Sequence, residues 1–296
     1  METQIFGRTV RVKQFGCDQL GIPGERAAPS VTIFVKVTNS CNINCPFCSN
    51  ACSHDPNAKF NVPKLFAIIR ECLNNNIIVN RVCITGGEPS LVPHLVKSIL
   101  DEASGNTFNN IHLHLNTNGL FRRSKDLMRN PRWNSISVSL HHYDSTKLSE
   151  LSGVHIPEAF LDFDGIDVNK VNISCNLIRG YIDCARETHR LLDFTLELGI
   201  PRLGLVSLMK INEFCRSRYV DFEDIHLDSI PRVYFIRSMS RGTDCRCSNF
   251  LYNHGLKILE IYSRNYMNPD YCESALVYDG VVLRQGFREH TENLII

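Results

Sequence analysis

The sequence lacks what marks a membrane protein or a binder of polyanions. No apolar run reaches the roughly 18 residues a bilayer span needs. The opening METQIFGRTVRVK also lacks the apolar stretch of an export signal, so a cytoplasmic protein without membrane contact is expected. Charge of one sign is missing too. Lys and Arg number 32 against 31 Asp and Glu, for a net +1, which gives no protein-wide field for a nucleic-acid backbone. Internal repeats and low-complexity linkers are absent. At 43% hydrophobic and 21% charged residues over 296 positions, the composition is that of a folded chain with a sizeable core.

What the chain has in quantity is cysteine, 13 in all. An odd count, a long chain and no export signal argue against a disulfide scaffold. Clustered thiols in a reducing compartment hold metal or do chemistry, and spacing decides which.

From Val31 the pattern becomes regular after an N-terminal arm or short hairpin over 1–30. Strands are expected at 31–37, 81–84, 111–115, 135–140, 171–177 and 202–206. Helical spacing falls between them at 63–74, 92–101 and 183–198, the last closed by Gly199 and Pro201. This rhythm means βαβ units and a parallel sheet over 31–210; periodicity alone leaves an open sheet and a barrel both standing. Several strands alternate apolar with polar residues, as in His112, His114 and Asn116, or Asn172, Ser174 and Asn176. Strands buried on both faces read as continuous apolar runs. The polar face therefore lines a lumen for a polar ligand, or else faces water. Beyond Met209 the rhythm stops, and residues 211–296 form a tail rich in aromatics and cysteine.

Directly after the first strand lies Cys41-Asn-Ile-Asn-Cys45-Pro-Phe-Cys48. Tetrahedral zinc usually takes four protein ligands. A cubane iron–sulfur cluster held by three cysteines keeps one iron open, which is a site for chemistry. Cys52 is close enough in sequence to close that fourth corner. After the second strand comes Gly86-Gly87-Glu88-Pro89, and after the third Asn116-Thr117-Asn118-Gly119.

The triad followed by the GGEP motif resembles the radical S-adenosylmethionine (SAM) superfamily over about residues 31–210. The T-N-G turn and Ser137–Leu140 add to the likeness, although His141 stands where an Asp is common. The resemblance implies a (βα)6 partial barrel with its site at the carboxyl ends of the strands. It implies a [4Fe–4S] cluster on Cys41, Cys45 and Cys48 with an open iron, SAM chelated there, and a 5′-deoxyadenosyl radical as the reagent. Gly86 and Gly87 would admit the methionine amino group, Glu88 would accept a hydrogen bond nearby, and Pro89 would fix the turn. Phe47 would stack on adenine, with Asn116, Ser139 and Asn176 as further cofactor contacts. Cys215, Cys245, Cys247 and Cys272 would be ligands of a second, auxiliary [4Fe–4S] cluster in a Twitch- or SPASM-like C-terminal extension.

Plainer readings cover the rest. Cys72, Cys83 and Cys175 are core thiols, Cys184 is structural or lies at the mouth, and His141 and His142 face substrate or solvent. Arg179 binds an anionic group or sits in a surface ion pair. A hairpin turn is expected at Tyr278-Asp279-Gly280. The function expected is a radical enzyme acting on a small polar metabolite, served by a reductase, flavodoxin or ferredoxin as electron donor and with no nucleic-acid partner. A peptide or protein maturase, or an activase, is the second reading, and a non-catalytic iron–sulfur or zinc protein the third.

Overall fold

The computed structural model describes residues 2–12, 29–50, 52, 59–105, 108, 110–158, 160–238, 247–264, 275–286 and 294–296. Cys245 and Cys272 lie outside the described residues. The chain opens with a hairpin, β1 (Glu2–Ile5) and β2 (Arg8–Arg11), turned by Phe6 and Gly7 at positive φ. It then alternates β3 (Ser30–Lys36), α1 (Val62–Asn74), β4 (Ile78–Thr85), α2 (Pro93–Glu102), β5 (Leu113–Thr117), α3 (Arg122–Met128) and β6 (Ser135–Ser139). The pattern continues through α4 (Ser145–Ser152), β7 (Val171–Leu177), α5 (Ala185–Glu197) and β8 (Arg202–Ser207). After α6 (Glu213–Ser217) come five strands: β9 (Val233–Ser238), β10 (Ser248–His254), β11 (Lys257–Arg264), β12 (Ala275–Tyr278) and β13 (Leu283–Gln285).

Each of the six expected barrel strands is present and pairs in parallel with the next. The tail, however, is built into the same sheet. β11 adds in parallel to β8, and β12 adds in parallel to β3 at the opposite edge. Antiparallel β10 and β9 lie outside β11, and β13 lies outside β12. The hairpin expected at Tyr278 is β12–β13, closed by Tyr278 opposite Leu283. The boundary read at 210 therefore marks the end of the βα rhythm and not the end of the sheet.

One face of the sheet carries the helices. α1 buries Leu65, Phe66 and Ile69 against Ile33, Val35 and Ile84 in a core that runs from strand to strand. Its N-cap Asn61 accepts from the Lys64 amide at 2.9 Å, which satisfies one of the free N–H groups of the first turn.

The other face is polar, and its hydrogen bonds run across strands without a break. His112 Nε2 and His114 Nδ1 meet Ser135 Oγ at 2.7 and 2.6 Å. His114 Nε2 reaches Asn116 Oδ1 and Ser137 Oγ at 3.0 Å each. Asn172 Nδ2 donates to Ser137 Oγ at 2.7 Å and to the Tyr262 hydroxyl of β11 at 2.9 Å. Tyr262 lies so close over Gly204 that a β-carbon there would stand 2.5 Å from its ring. His114, Ser137 and Asn172 are under a tenth exposed.

The helices lie on the opposite face, yet this polar face is buried as well, so the sheet curves over it. The sheet is rolled, with the polar face inside. This is the α/β architecture with a mostly parallel sheet expected of a partial barrel. Of the two readings of the polar strand faces, the lumen is the one observed.

Burial, with Arg81 second, pushes His114 down to about 3, and burial pushes His141 to about 4. Both rings are neutral when folded. The unfolded chain takes up a proton at each near pH 6.5, so this contribution is fully present above pH 6.5. It is lost as pH falls toward the folded values, at about 1.4 kcal/mol per pH unit for each ring. In urea unfolding between pH 7 and pH 5, His114→Gln should lower that slope by one ring's share. An unchanged slope would mean that the ring titrates in the folded protein as it does in the unfolded chain.

Candidate active site

The three cysteines sit on the loop from Val37 to Cys52, and the residues between them tie it down. Thr38 O accepts from Gly87 N–H at 2.7 Å and Ser40 O from Glu88 N–H at 2.8 Å, continuing the β3–β4 pairing past the strand ends. Asn42 Oδ1 accepts from Asn118 Nδ2 at 2.7 Å. Asn44 N–H donates to Ser152 O at 2.7 Å, Asn212 Nδ2 to Pro46 O at 2.9 Å, and Asn50 Nδ2 to Gly86 O at 2.6 Å. Neighbours on four other segments thus hold the loop by its non-cysteine positions and leave the thiols available.

The GGEP motif is part of this clamp. A β-carbon on Gly86 would lie 2.4 Å from Thr38 O, and one on Gly87 would lie 1.8 Å from Ser40 O. The glycines are required by close approach of the cysteine loop's own backbone, a reason not visible in the motif itself. Glu88 is 1% exposed. Its carboxylate accepts from Ser90 N at 3.0 Å, Thr117 Oγ1 at 2.8 Å and Asn118 N at 2.9 Å. The side chain is an internal bolt between the second and third strand ends. Removing it in Glu88→Ala strands three buried donors, which costs about 3 kcal/mol. Glu88→Gln should recover part of that in thermal unfolding, and equal stability of both variants would rule the bolt out.

Among the thiols, Cys48 Sγ and Cys52 Sγ are 3.5 Å apart. A hydrogen bond from Cys52 lowers Cys41, while Cys52 is pushed up by the same bond and by its contact with Cys48. Cys45 is pushed up to about 12, first by burial and then by its neighbours Cys48 and Cys41. A set of close thiols in which Cys45 and Cys52 are held protonated is a donor set that a cationic iron–sulfur group relieves. In this sense the residues fit a cluster. Among the described residues no group of three or more His, Cys, Asp or Glu is arranged to hold a single metal ion. A cubane differs from an ion in sending each thiolate to a different iron.

Phe47, between the last two cysteines, is 5% exposed and packs with Leu151, Ile178, Leu208 and Cys215. The His141 ring stands edge-on to it at 4.8 Å. His141 Nδ1 accepts the Asn176 amide at 3.1 Å, so the neutral ring carries its proton on Nε2. Ser139 and Asn176, at the ends of β6 and β7, are half-buried near this ring. Asn116 faces the lumen with His114, and it is Asn118, one turn position on, that reaches the cysteine loop.

Cys215 is fully buried in the apolar patch around Phe47 and its thiol feels Cys48. Cys247 is buried at the start of β10, beside the carboxyl end of β11, which is the sheet end that bears the cysteine loop. Arg179 donates to Tyr219 O at 3.2 Å. Cys184 lines a cavity of about 520 Å³ with His142, Lys147, Arg186 and Arg190. Arg186 and Arg190 there pair with Glu187 at 3.1 and 3.4 Å, so those two charges are already answered.

Residues 35–163 match the radical SAM superfamily. A radical SAM methyltransferase from Sphaerobacter thermophilus superposes with a TM-score of 0.52 at 18% identity, covering 66% of this chain and 60% of that one. SuiB from Streptococcus suis, bound to S-adenosylmethionine, gives 0.49 at 19% identity, covering 63% and 42%. TYW1 with a lysine–pyruvate adduct gives 0.48 at 17%, covering 71% and 76%. The chain thus spans under half the length of SuiB. No curated protein sequence matches it significantly. Among the described residues, no helix is long and apolar enough to cross a membrane.

The signals that sequence reasoning passed over are the asparagines. Asn42, Asn44 and Asn50 lie between the cysteines, and each anchors the cysteine loop to a different neighbour. In a loop of thiols, side-chain amides such as those of Asn42 and Asn50 offer hydrogen bonds that a strand would otherwise supply, whereas Asn44 anchors through its backbone N–H.

Proposed function

We propose that this protein is a radical SAM enzyme that abstracts a hydrogen atom from a small polar metabolite, leading to dehydrogenation, rearrangement or cyclisation. The observation that carries the reading is the clamp: GGEP, the T-N-G turn and the triad loop are hydrogen-bonded into one unit at the carboxyl ends of the strands. When bound, a [4Fe–4S] cluster on Cys41, Cys45 and Cys48 and its SAM supply a 5′-deoxyadenosyl radical by one-electron cleavage. The chain's part is to bind and orient. The Gly86–Glu88 backbone receives the amino-acid end of SAM, and Phe47 receives the adenine once its ring is reached. Ser139, Asn176 and Asn116 offer polar contacts along the lumen wall. A polar lumen whose groups are already paired suits a substrate rich in oxygen or nitrogen. Electrons come from a reductase, flavodoxin or ferredoxin. Cys245, Cys247 and Cys272, with Cys215, are the candidates for an auxiliary [4Fe–4S] cluster in the cytoplasmic enzyme.

A peptide-modifying maturase is the second reading, and β9 speaks for it. This edge strand exposes Tyr234, Phe235 and Ile236 by half or more, the kind of edge to which an extended peptide adds. Anaerobic incubation with reductant and SAM tests both readings. The expected result is 5′-deoxyadenosine formed by a protein holding about four irons per cubane. A fully loaded protein that leaves SAM intact would sink the radical assignment.

A further inference from the structure

The loop that carries the triad holds a fourth thiol, and its position is specific. Cys52 Sγ lies 3.5 Å from Cys48 Sγ and stands 3.8 Å from Gly86 O. Among the described residues, it is the thiol that touches both the metal-ligand set and the GGEP backbone. With the spacing C-x3-C-x2-C-x3-C, the same loop brings Cys52 back against the triad at Cys48. Asn50 fastens this return by donating to the same Gly86 carbonyl at 2.6 Å.

We infer that Cys52 is an exchangeable fourth ligand, which caps the open iron while SAM is absent and is displaced when SAM binds. The inference rests on the proposed function, since it presupposes a cubane on Cys41, Cys45 and Cys48. The amino-acid end of SAM and the Cys52 thiol claim the same ground beside Gly86, so they compete. The exchange moves no electrons. The Cys52 thiolate leaves the iron and takes up a proton, and the incoming amine gives one up as it coordinates. Capping protects the exposed iron from loss, and its cost is a weaker apparent affinity for SAM. If the cap is on for about nine-tenths of the time, apparent affinity falls about tenfold.

The test compares the anaerobically reconstituted full chain with Cys52→Ala and Cys52→Ser. Without SAM, mild ferricyanide oxidation should leave the four-iron cluster of the wild type largely intact, while Cys52→Ala shows the EPR signal of a three-iron cluster. Titration followed by EPR should show SAM binding about tenfold tighter in Cys52→Ala, with Cys52→Ser in between. Equal iron loss and equal affinity in wild type and Cys52→Ala would overturn the cap. So would a Cys52→Ala protein that folds but assembles no four-iron cluster, because Cys52 would then be a permanent ligand. If the wild-type cluster and both variant clusters ignore SAM altogether, it is the proposed function that fails.

Discussion

In Cys45→Ala, iron falls by one cubane, about four per chain, and 5′-deoxyadenosine formation drops to background, while Cys272→Ala retains the cleavage. Cys45 is the middle member of the triad, and burial and both flanking thiols hold its proton on until a cation binds. Its side chain cannot be replaced by a neighbour. Cys41 and Cys48 have their own corners, and Cys52 lies against Cys48. Thermal unfolding of the two variants checks that the contrast is chemical, since the loop's anchors at Thr38, Asn42 and Asn50 do not involve Cys45. Cleavage that survives in Cys45→Ala would remove the triad from the chemistry.

Gly87→Ala is expected to cost about 3 kcal/mol or more and to lose the cluster with it. The added carbon would lie 1.8 Å from Ser40 O, 2.3 Å from Ser40 C and 3.0 Å from Cys41 N. These are backbone atoms with no rotamer to change. Relief requires the strand end and the cysteine loop to part, which breaks the Gly87 and Glu88 amide bonds to Thr38 and Ser40. Gly105→Ala is the matched control, because its nearest contact is an ordinary 3.4 Å to Glu102 O. Denaturant midpoints of the two variants decide the matter. If they shift alike, the clamp is not tight.

Much of this protein was legible in order along the chain. The six central strands and the three expected helices follow from residue periodicity, because each element must bury one face and the βα spacing leaves few ways to do so. The triad and GGEP are local too, since their spacing alone places them after successive strands. The polar alternation of His112–Asn116 and Asn172–Asn176 already excluded strands buried in apolar surroundings on both faces.

What the sequence could not reveal depends on which distant segments meet. β11 and β12 are strands without a βα rhythm, and only the rolled sheet shows that they extend its two edges. The service of Gly86 and Gly87 to the cysteine loop, of Glu88 to the T-N-G turn, and of Cys52 to the triad are contacts between separate connections. Hydrophobic pattern determines which face of an element is buried, and that is encoded residue by residue. Which loop then stands against which is settled by sheet curvature and close packing, and these exist only once the whole chain has folded.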